Sequence, residues 1–453
     1  MFKTRKENFM FGFKFLGNTR VPHHKNTAES SPVKMTLPDE LLICTAQHIG
    51  APATSIVKVG DEVKVGQLIA ESSGFVSAPV HSPVSGKVKK IEDCLLFNGQ
   101  VVPAIRIQND GLMTVSDEVK PPVVSDFDSF INAVRASGLV GLGGAGFPTA
   151  AKLAAAKNNT IHTIIVNVAE CEPYITSDTI TVMERVESIC RGIKLLETYI
   201  PTVQKIVFGV EKNKPACITK LTEAFTENSK VSVVALPSLY PQGAEKVLIY
   251  NTTRKIVPEG KFPADIGIIV INITTLATLA DYMETGMPLV EKCITVDGSA
   301  VKNPMNLIVP VGATIRDILA FAGVDTEDIG KVLSGGPMMG VAAYSYDQAI
   351  DKRTNALTIM TQQDCVERTV TACIHCGKCV EACPMFLNPT IFSKALDMNT
   401  EDKMAKFDEY RINLCMECGC CSYVCPANRP LLANNRLAKA ELRSYKAHQS
   451  TLK

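Results

Sequence analysis

Apolar positions along this chain change period from one region to the next, and each change predicts a new kind of element. Near the start, "VKVGDEVKVGQLIAE" and "SAPVHSPVSGKVKKI" alternate apolar and polar residues in short stretches broken by Gly-Asp and Ser-Gly. That pattern predicts short strands and tight turns, hence a small β-sandwich or barrel hybrid. From about residue 130 the rhythm lengthens. "FDSFINAVRASG" has helical spacing, and "HTIIVNVAE" is a continuous apolar run. A long amphipathic helix (Asp178 to Tyr199), a strand "KIVFGVE", a helix near Lys214 to Glu227, a strand "VSVVALP", a helix from Gln242 and a buried strand "IGIIVINI" follow. Strands alternating with helices in this way predict a doubly wound parallel sheet between about 130 and 285.

Further on, "MPLVEKCITVDGSAVKNPMNLIVPVGATIRDILAFAG" and "KVLSGGPMMG" suggest two short strands, a turn, a helix beginning near Thr314 and a return strand, the order of a β-grasp module. "PTIFSKALDM" and "EDKMAKFDEY" show helical apolar spacing, and "RLAKAELRSYKAHQ" closes the chain as a basic helix, either solvated or turned to an acidic partner. The fold class expected is therefore multidomain α/β: an N-terminal barrel-sandwich hybrid at 1–125, a doubly wound α/β domain at 126–287, a β-grasp domain at 288–345 and an α-helical cysteine-rich domain at 346–453.

A length of 453 residues suits several domains, at about 100 to 200 residues each. The balanced net charge of +1 does not suggest nucleic acid or an anionic membrane surface as a partner through bulk electrostatics. "MFKTRKENFMFGFKF" alternates basic and aromatic residues without the continuous apolar core of a signal peptide, and reads as a frayed terminus or, as the lesser alternative, a segment lying on a membrane surface. The longest apolar run, Ile266 to Ile273, is far short of the roughly 20 residues a spanning helix needs.

The cysteines carry the first chemistry. "CIHCGKCVEACP" and "CMECGCCSYVCP" both read Cys-x2-Cys-x2-Cys-x3-Cys-Pro, a spacing that lets one tight loop place three thiolates on a 4Fe-4S cube while the fourth reaches across to a second cube. One cluster would take Cys373, Cys376, Cys379 and Cys425, and the other Cys415, Cys418, Cys421 and Cys383. Structural zinc also uses Cys-x2-Cys knuckles but fits three close cysteines and a fourth before proline poorly. A disulfide framework suits small secreted chains. Cys420 lies outside the spacing and is expected to be a buried thiol without a ligand role.

Chains that conduct electrons need a place to exchange them, and the glycine-rich turn "GLVGLGGAGFPTAAKL" is the candidate. Gly141, Gly143, Gly144 and Gly146 permit close approach of a ligand to backbone ahead of a helical stretch carrying Lys152. This is not a Walker A loop, and a dinucleotide fingerprint should follow a strand rather than a helix. Asn167, Glu170 and Glu172 cluster at the carboxyl end of a parallel strand, where ligands bind in open α/β sheets, although a solvated loop is the plainer reading of the two acids.

"GGAGFPTAAK", "NVAECEP" and "NITT" closely resemble the FMN-binding elements of the NADH-oxidising flavin subunit of respiratory complex I. With the two ferredoxin-like motifs, and with "VPHHK", "QHIGAPA", "GFVSAPVHSPVSGKV" and "SGGPMMG", the chain resembles the C subunits of Rnf complexes, membrane-bound ferredoxin:NAD+ oxidoreductases that pump sodium ions or protons. The resemblance implies FMN with its phosphate and ribityl chain among Gly141, Gly143, Gly144, Gly146 and Lys152. It implies an isoalloxazine ring near Asn167, Glu170 and Glu172, the two acids being the candidate catalytic residues because charges beside a flavin shift its potential. Gly243, Asn272 and Thr275 would close the pocket. Leu142, Ala169 and Ala244 stand where the complex I pattern has an arginine and two acids.

The likeness also implies NAD(H) as substrate, FMN converting hydride into single electrons for two 4Fe-4S clusters, and coupling to Na+ or H+ transport. It implies as partners the membrane subunits and the ferredoxin-like iron-sulfur B subunit, and a peripheral place on the cytoplasmic face of the cell membrane. The N-terminal domain resembles a biotinyl or lipoyl carrier, but "SSGFVS" offers no lysine on the hairpin, so docking or shielding is expected of it. The β-grasp resembles the soluble-ligand-binding (SLBB) domain of these families and is expected to be a spacer. Two other readings are a soluble flavin and iron-sulfur reductase resembling the cobalamin reductases of propanediol-degrading microcompartments, which lack the "VPHHK" and "QHIGAPA" region, and a conducting subunit that has lost flavin.

Overall fold

The computed structural model describes residues 19–451. The basic-aromatic start, "MFKTRKENFMFGFKF", lies outside the described residues.

Alternation near the start folds as it predicts. Strands Glu40–Cys44, Glu62–Val63, Gly86–Leu95 and Val101–Asn109 form one antiparallel sheet, and Thr54–Ser55, Leu68–Glu71 and Val80–His81 form a second. Their inward positions, among them Leu41, Ile43, Val63, Ile69, Val88, Ile105 and Ile107, share one core, giving the barrel-sandwich hybrid.

The α/β domain is a four-stranded parallel sheet in the order Val231–Leu236, Lys205–Glu211, Thr163–Val168, Ile268–Asn272. Successive residues of the third strand enter different cores: Ile164, Val166 and Val168 pack into one cluster and Ile165 into another. Both faces of the sheet are therefore covered, which is why these strands read as unbroken apolar runs. The long helix expected from Asp178 to Tyr199 is instead two, Ser177–Glu184 and Val186–Tyr199. At the break Arg185 leaves helical geometry (φ −129°, ψ 35°) and its Nη2 donates to Asp281 at 2.6 Å, where Arg191 also binds. That ion pairing was invisible to apolar periodicity.

The β-grasp sheet runs in the order Val33–Lys34, Met305–Pro310, Glu291–Asp297, Ala356–Thr361, Ile329–Ser334, Val341–Ala342. The expected helix begins at Ile315, with Thr314 and Asp317 forming a reciprocal cap. Two strands come from outside the expected span of 288–345. Val33–Lys34 belongs to the N-terminal arm, and Ala356–Thr361, beyond residue 345, sits mid-sheet between Glu291–Asp297 and Ile329–Ser334. The turn-rich "YSYDQAIDKRTN" between the strands hid this late return.

The cysteine-rich domain is helical, with Pro389–Ala395, Thr400–Glu409 and Leu431–Thr451 packed round Phe392, Phe407, Ile412, Ala438 and Leu442. The last helix is thus seated by Ala438 and Leu442 in a core rather than merely solvated. No helix among the described residues is long and apolar enough to cross a membrane.

Buried polar contacts tie these parts together. Thr27, Thr176, Thr295 and Asn306 form one hydrogen-bonded network joining the N-terminal arm, the α/β domain and the β-grasp. Lys352 is fully buried, its Nζ donating to Pro79 O at 2.6 Å and Gly138 O at 2.7 Å, so that it pins the barrel to the glycine loop. Burial pushes its ammonium down to about 7 against an ordinary 10.5, with Asp351 opposing. The folded chain therefore holds this amine neutral between those values while the unfolded chain keeps it charged, and stability rises with pH across that window. The slope from this residue is at most about 1.4 kcal/mol per pH unit. In denaturant titrations from pH 7 to 10, Lys352→Met should lose that part of the slope; an unchanged slope would show that the amine keeps its proton.

Candidate functional site

The glycine loop follows the helix Phe127–Ala136 and packs at the carboxyl end of the strand Ile268–Asn272, which pairs in parallel with Thr163–Val168. Thr275 Oγ1 accepts from Leu142 N at 2.9 Å, and Thr275 N donates to Asn272 Oδ1 at 3.1 Å, capping the helix Ile273–Thr285. A Cβ at Gly143 would meet Asn272 Nδ2 at 2.9 Å, whereas Gly144, at φ +120°, would meet nothing within 4 Å. One side of the loop is thus pressed on the sheet and the other is open.

Asn167 Nδ2 donates to Gly243 O at 2.9 Å and its Oδ1 accepts from Ala169 N at 3.0 Å. A Cβ at Gly243 would lie 2.2 Å from Ala169 O, so these backbones can approach only with glycine there. Lys152 Nζ reaches Glu245 Oε1 at 2.9 Å and Val270 O at 3.0 Å. Gly143, Asn272 and Thr275 thus meet at the end of one strand and Asn167 and Gly243 at the end of its neighbour, with the bonds of Asn167 and Thr275 spent bracing these backbones.

The two acids are used differently from expectation. Glu170 is buried, and its carboxylate accepts from Asp178 N at 2.7 Å and Thr179 Oγ1 at 2.9 Å, capping the helix Ser177–Glu184. Glu172 accepts from Met338 N at 3.0 Å and Met339 N at 2.8 Å, and burial raises its pKa despite these donors. Its partners belong to "SGGPMMG", where a Cβ on Gly336 would meet Glu172 Oε2 at 2.3 Å. Glu172 thus clamps the β-grasp loop that also meets the second cysteine loop. In Glu172→Gln one acceptor oxygen becomes a donor, and exchange of the Met338 and Met339 amides should quicken by about tenfold, given about 1–3 kcal/mol for an unmade bond. Unchanged protection in hydrogen-exchange mass spectrometry would show the clamp to be idle.

Several residues here escaped sequence reading. Lys25, from "VPHHK", donates its Nζ to the carbonyls of Glu170 (2.8 Å), Glu172 (2.8 Å) and Ile175 (2.5 Å). Lys214 Nζ adds a bond to Glu170 O at 3.2 Å while paired with Glu211 Oε2 at 2.9 Å, both side chains almost wholly buried. Two amines thus hold the backbone of residues 170–175 from beneath. Asp178 accepts from Asn272 Nδ2 and Thr274 Oγ1, each at 2.7 Å, and burial, reinforced by Glu170, raises its carboxyl to about 7. Only contacts made by folding mark these residues.

The cysteines form two matched loops. Gly377 and Gly419 share φ +79°, each opening a one-turn helix, and His375 and Glu417 occupy matching left-handed positions at φ +55° and +59°. Cys373, Cys376, Cys379 and Cys425 line a cavity of about 160 Å³. In the other loop, burial comes first and the neighbouring Cys415, Cys418 and Cys383 second in pushing Cys421 up to about 12. Cys383 rises to about 11 by burial, with Cys418 and Cys415 adding to it. Thiols crowded together away from water resist losing their protons, so a positive centre is what such a set can hold as thiolates. A cavity lined by four thiols fits a group larger than one ion. Cys420 is fully buried, with Tyr240 O 4.0 Å from its Sγ. The second loop abuts the β-grasp, since a Cβ on Gly419 would meet Met338 O at 2.7 Å.

Family models match the four parts of the chain in this order: an RnfC barrel sandwich hybrid domain at 13–112, a Nuo51 FMN-binding domain at 134–281, an SLBB domain at 293–342 and a 4Fe-4S dicluster domain at 369–429. The C subunit of the Na+-translocating ferredoxin:NAD+ oxidoreductase complex of Acetobacterium woodii is 39% identical over 86% of this chain and 88% of its own. The chain belongs to this family of C subunits. Its counterpart in the proton-translocating ferredoxin:NAD+ oxidoreductase complex of Clostridium ljungdahlii is 39% identical over 84% of this chain and 83% of its own. That of the ion-translocating oxidoreductase complex of Rhodobacter capsulatus is 35% identical over 83% and 74%. Among solved structures, a chain of an NAD+-reducing [NiFe]-hydrogenase in the H2-reduced state overlaps with a TM-score of 0.49 at 20% identity, over 70% of this chain and 63% of that one. By its family the chain is one part of a multi-subunit assembly.

Proposed function

We propose that this C subunit is the NAD(H)-reactive part of a membrane-bound complex that couples ferredoxin:NAD+ electron transfer to Na+ or H+ transport. FMN would lie in the crevice, with Gly141, Gly143, Gly144, Gly146 and Lys152 on its phosphate side, Gly243, Asn272 and Thr275 in its walls, and Asn167, Glu170 and Glu172 supporting its floor. One 4Fe-4S cluster would be held by Cys373, Cys376, Cys379 and Cys425, the other by Cys415, Cys418, Cys421 and Cys383. When bound, FMN interconverts hydride and single electrons, and 4Fe-4S clusters carry electrons singly. The observation that carries the reading is the contact between the two places: Glu172 leaves the crevice floor to clamp Met338 and Met339, and Met338 meets the Gly419 loop.

This chain's residues would mainly position and shield. Glu170 and Glu172 have their carboxylates turned into caps and clamps, so they shape the floor and add charge behind it rather than touch substrate. Lys25 and Lys214 fix the carbonyls of that floor and set positive charge beneath it, which favours an electron-rich ligand above. Membrane subunits and a ferredoxin-like iron-sulfur subunit are the proposed partners, and the cytoplasmic face of the membrane the proposed place.

The test uses anaerobically purified chain with reconstituted clusters. FMN and iron are counted, then NADH is added while the visible spectrum is followed. Bleaching of a flavin band followed by loss of the broad iron-sulfur absorbance is expected. Clusters without FMN, or FMN indifferent to NADH, would move NAD(H) chemistry to a partner.

A further inference from the structure

The glycine loop carries no cation of its own. Leu142, the one large side chain between Gly141 and Gly146, is buried at 3% exposure, and Lys152 is engaged by Glu245 and Val270. An arginine that packs on the loop comes from far along the chain. Arg353 lays its side chain across Gly146, where a Cβ would meet Arg353 Cγ at 2.5 Å and Cδ at 2.6 Å. Any side chain at 146 would displace it, so glycine there makes room for an arginine as well as for a turn at φ +67°.

Its placement is held from several directions. Lys352 Nζ is anchored on Gly138 O at the start of the same loop, and Lys352 N donates to Gln47 Oε1 at 3.2 Å. Two residues further along the barrel segment, Ile49 N donates to Gly146 O at 3.0 Å. Asp351 Oδ1 accepts from Arg353 N at 2.7 Å and Thr354 N at 3.2 Å, while its Oδ2 takes Arg353 Nε at 3.0 Å and Nη2 at 2.5 Å. Asp351 shares its charge among these donors and orients the guanidinium. Of the five N–H groups an arginine carries, this leaves three, including both on Nη1, without a partner among the described residues. The side chain keeps 23% exposure and packs on the loop at Gly146, two residues from the open position at Gly144.

We infer that Arg353 binds a phosphate of the nucleotide held on the glycine loop, as the crevice's principal phosphate-binding cation. This rests on the proposed nucleotide crevice and names the residue that reads its phosphate. Planar donors on a preset guanidinium suit phosphate oxygens, and here most of the ordering is completed by Asp351 and Lys352 before ligand arrives. The phosphate is that of FMN or the pyrophosphate of NAD(H), since both offer the same oxygens.

The experiment titrates FMN and riboflavin, which lacks the phosphate, into flavin-free full-length chain, comparing wild type with Arg353→Gln and Arg353→Lys. Arg353→Gln should weaken FMN roughly ten- to a hundredfold and leave riboflavin unchanged, with Arg353→Lys between. If both flavins bind as in wild type but the NADH concentration for half-bleaching rises about as much, the inference stands with NAD(H) as the source of the phosphate. Equal loss of FMN and riboflavin would mark a role in holding the fold and overturn it, as would wild-type behaviour in all three titrations. Wild type that binds neither FMN nor NADH would instead sink the crevice reading itself, and the inference with it.

Discussion

Replacing Cys373 and Cys425 together by alanine should leave the reconstituted chain about half its iron, whereas replacing Cys373 and Cys383 together should leave almost none. The two pairs differ only in whether their members face the same cavity. Cys373 and Cys425 line one volume from opposite loops, while Cys383, which follows Cys373 closely in sequence, stands with Cys415, Cys418 and Cys421. If each motif instead filled its own site, the outcomes would be exchanged, with the Cys373 and Cys383 pair retaining half. Iron counts and low-temperature electron paramagnetic resonance of the reduced variants would separate the cases, because they report which cluster remains and not merely that one is lost. The effect is large because the first pair takes two thiolates from one cage and spares the other, whereas the second takes one from each and leaves both cubes with an iron that has lost its protein ligand.

The second large effect is expected at Lys25. Its amine is nearly enclosed and bonds three carbonyls of one loop, those of Glu170, Glu172 and Ile175. Lys25→Met keeps the apolar stem and removes every donor, leaving those carbonyls and the buried Glu211 short of positive charge. Unsatisfied buried groups cost about 1–3 kcal/mol each and a broken buried charge cluster about 3–5 kcal/mol, so a loss of about 3–5 kcal/mol is expected for the α/β domain. Denaturant unfolding followed by a probe in that domain measures it. A midpoint within error of wild type would mean that water replaces the ammonium and that the arm is only draped on the surface. Burial lowers the pKa of this amine too, so the loss should shrink at acid pH, where the wild-type penalty for enclosing charge is fullest.

Much of the architecture could be read from pattern alone, for reasons that lie in particular residues. "HTIIVNVAE" betrayed a strand covered on both faces because Ile164, Ile165 and Val166 enter two different cores. The paired cysteine spacings were legible because each tight loop repeats the same left-handed glycine, Gly377 and Gly419. What could not be read was long-range: a lysine near the amino end completing the crevice floor, an arginine after the β-grasp lying on a glycine loop, a carboxylate serving as a helix cap. Glu170 and Glu172 stood at the strand end where ligands gather, but spacing does not say which way a carboxylate turns. Their hydrogen bonds to Asp178, Thr179, Met338 and Met339 come from packing, and packing has no local signature.

The late strand Ala356–Thr361 has a consequence for how the chain is made. During synthesis from the amino end, Glu291–Asp297 and Ile329–Ser334 emerge with facing edges unpaired, and only residues 356–361 join them. The first cluster cysteine, Cys373, leaves the ribosome about a dozen residues later. Met338, which meets the Gly419 loop, therefore belongs to a loop of a sheet whose last strand is synthesised before any cluster thiol. Biogenesis would thus run from scaffold to metal, with iron delivered to a chain whose seat for the clusters is already built.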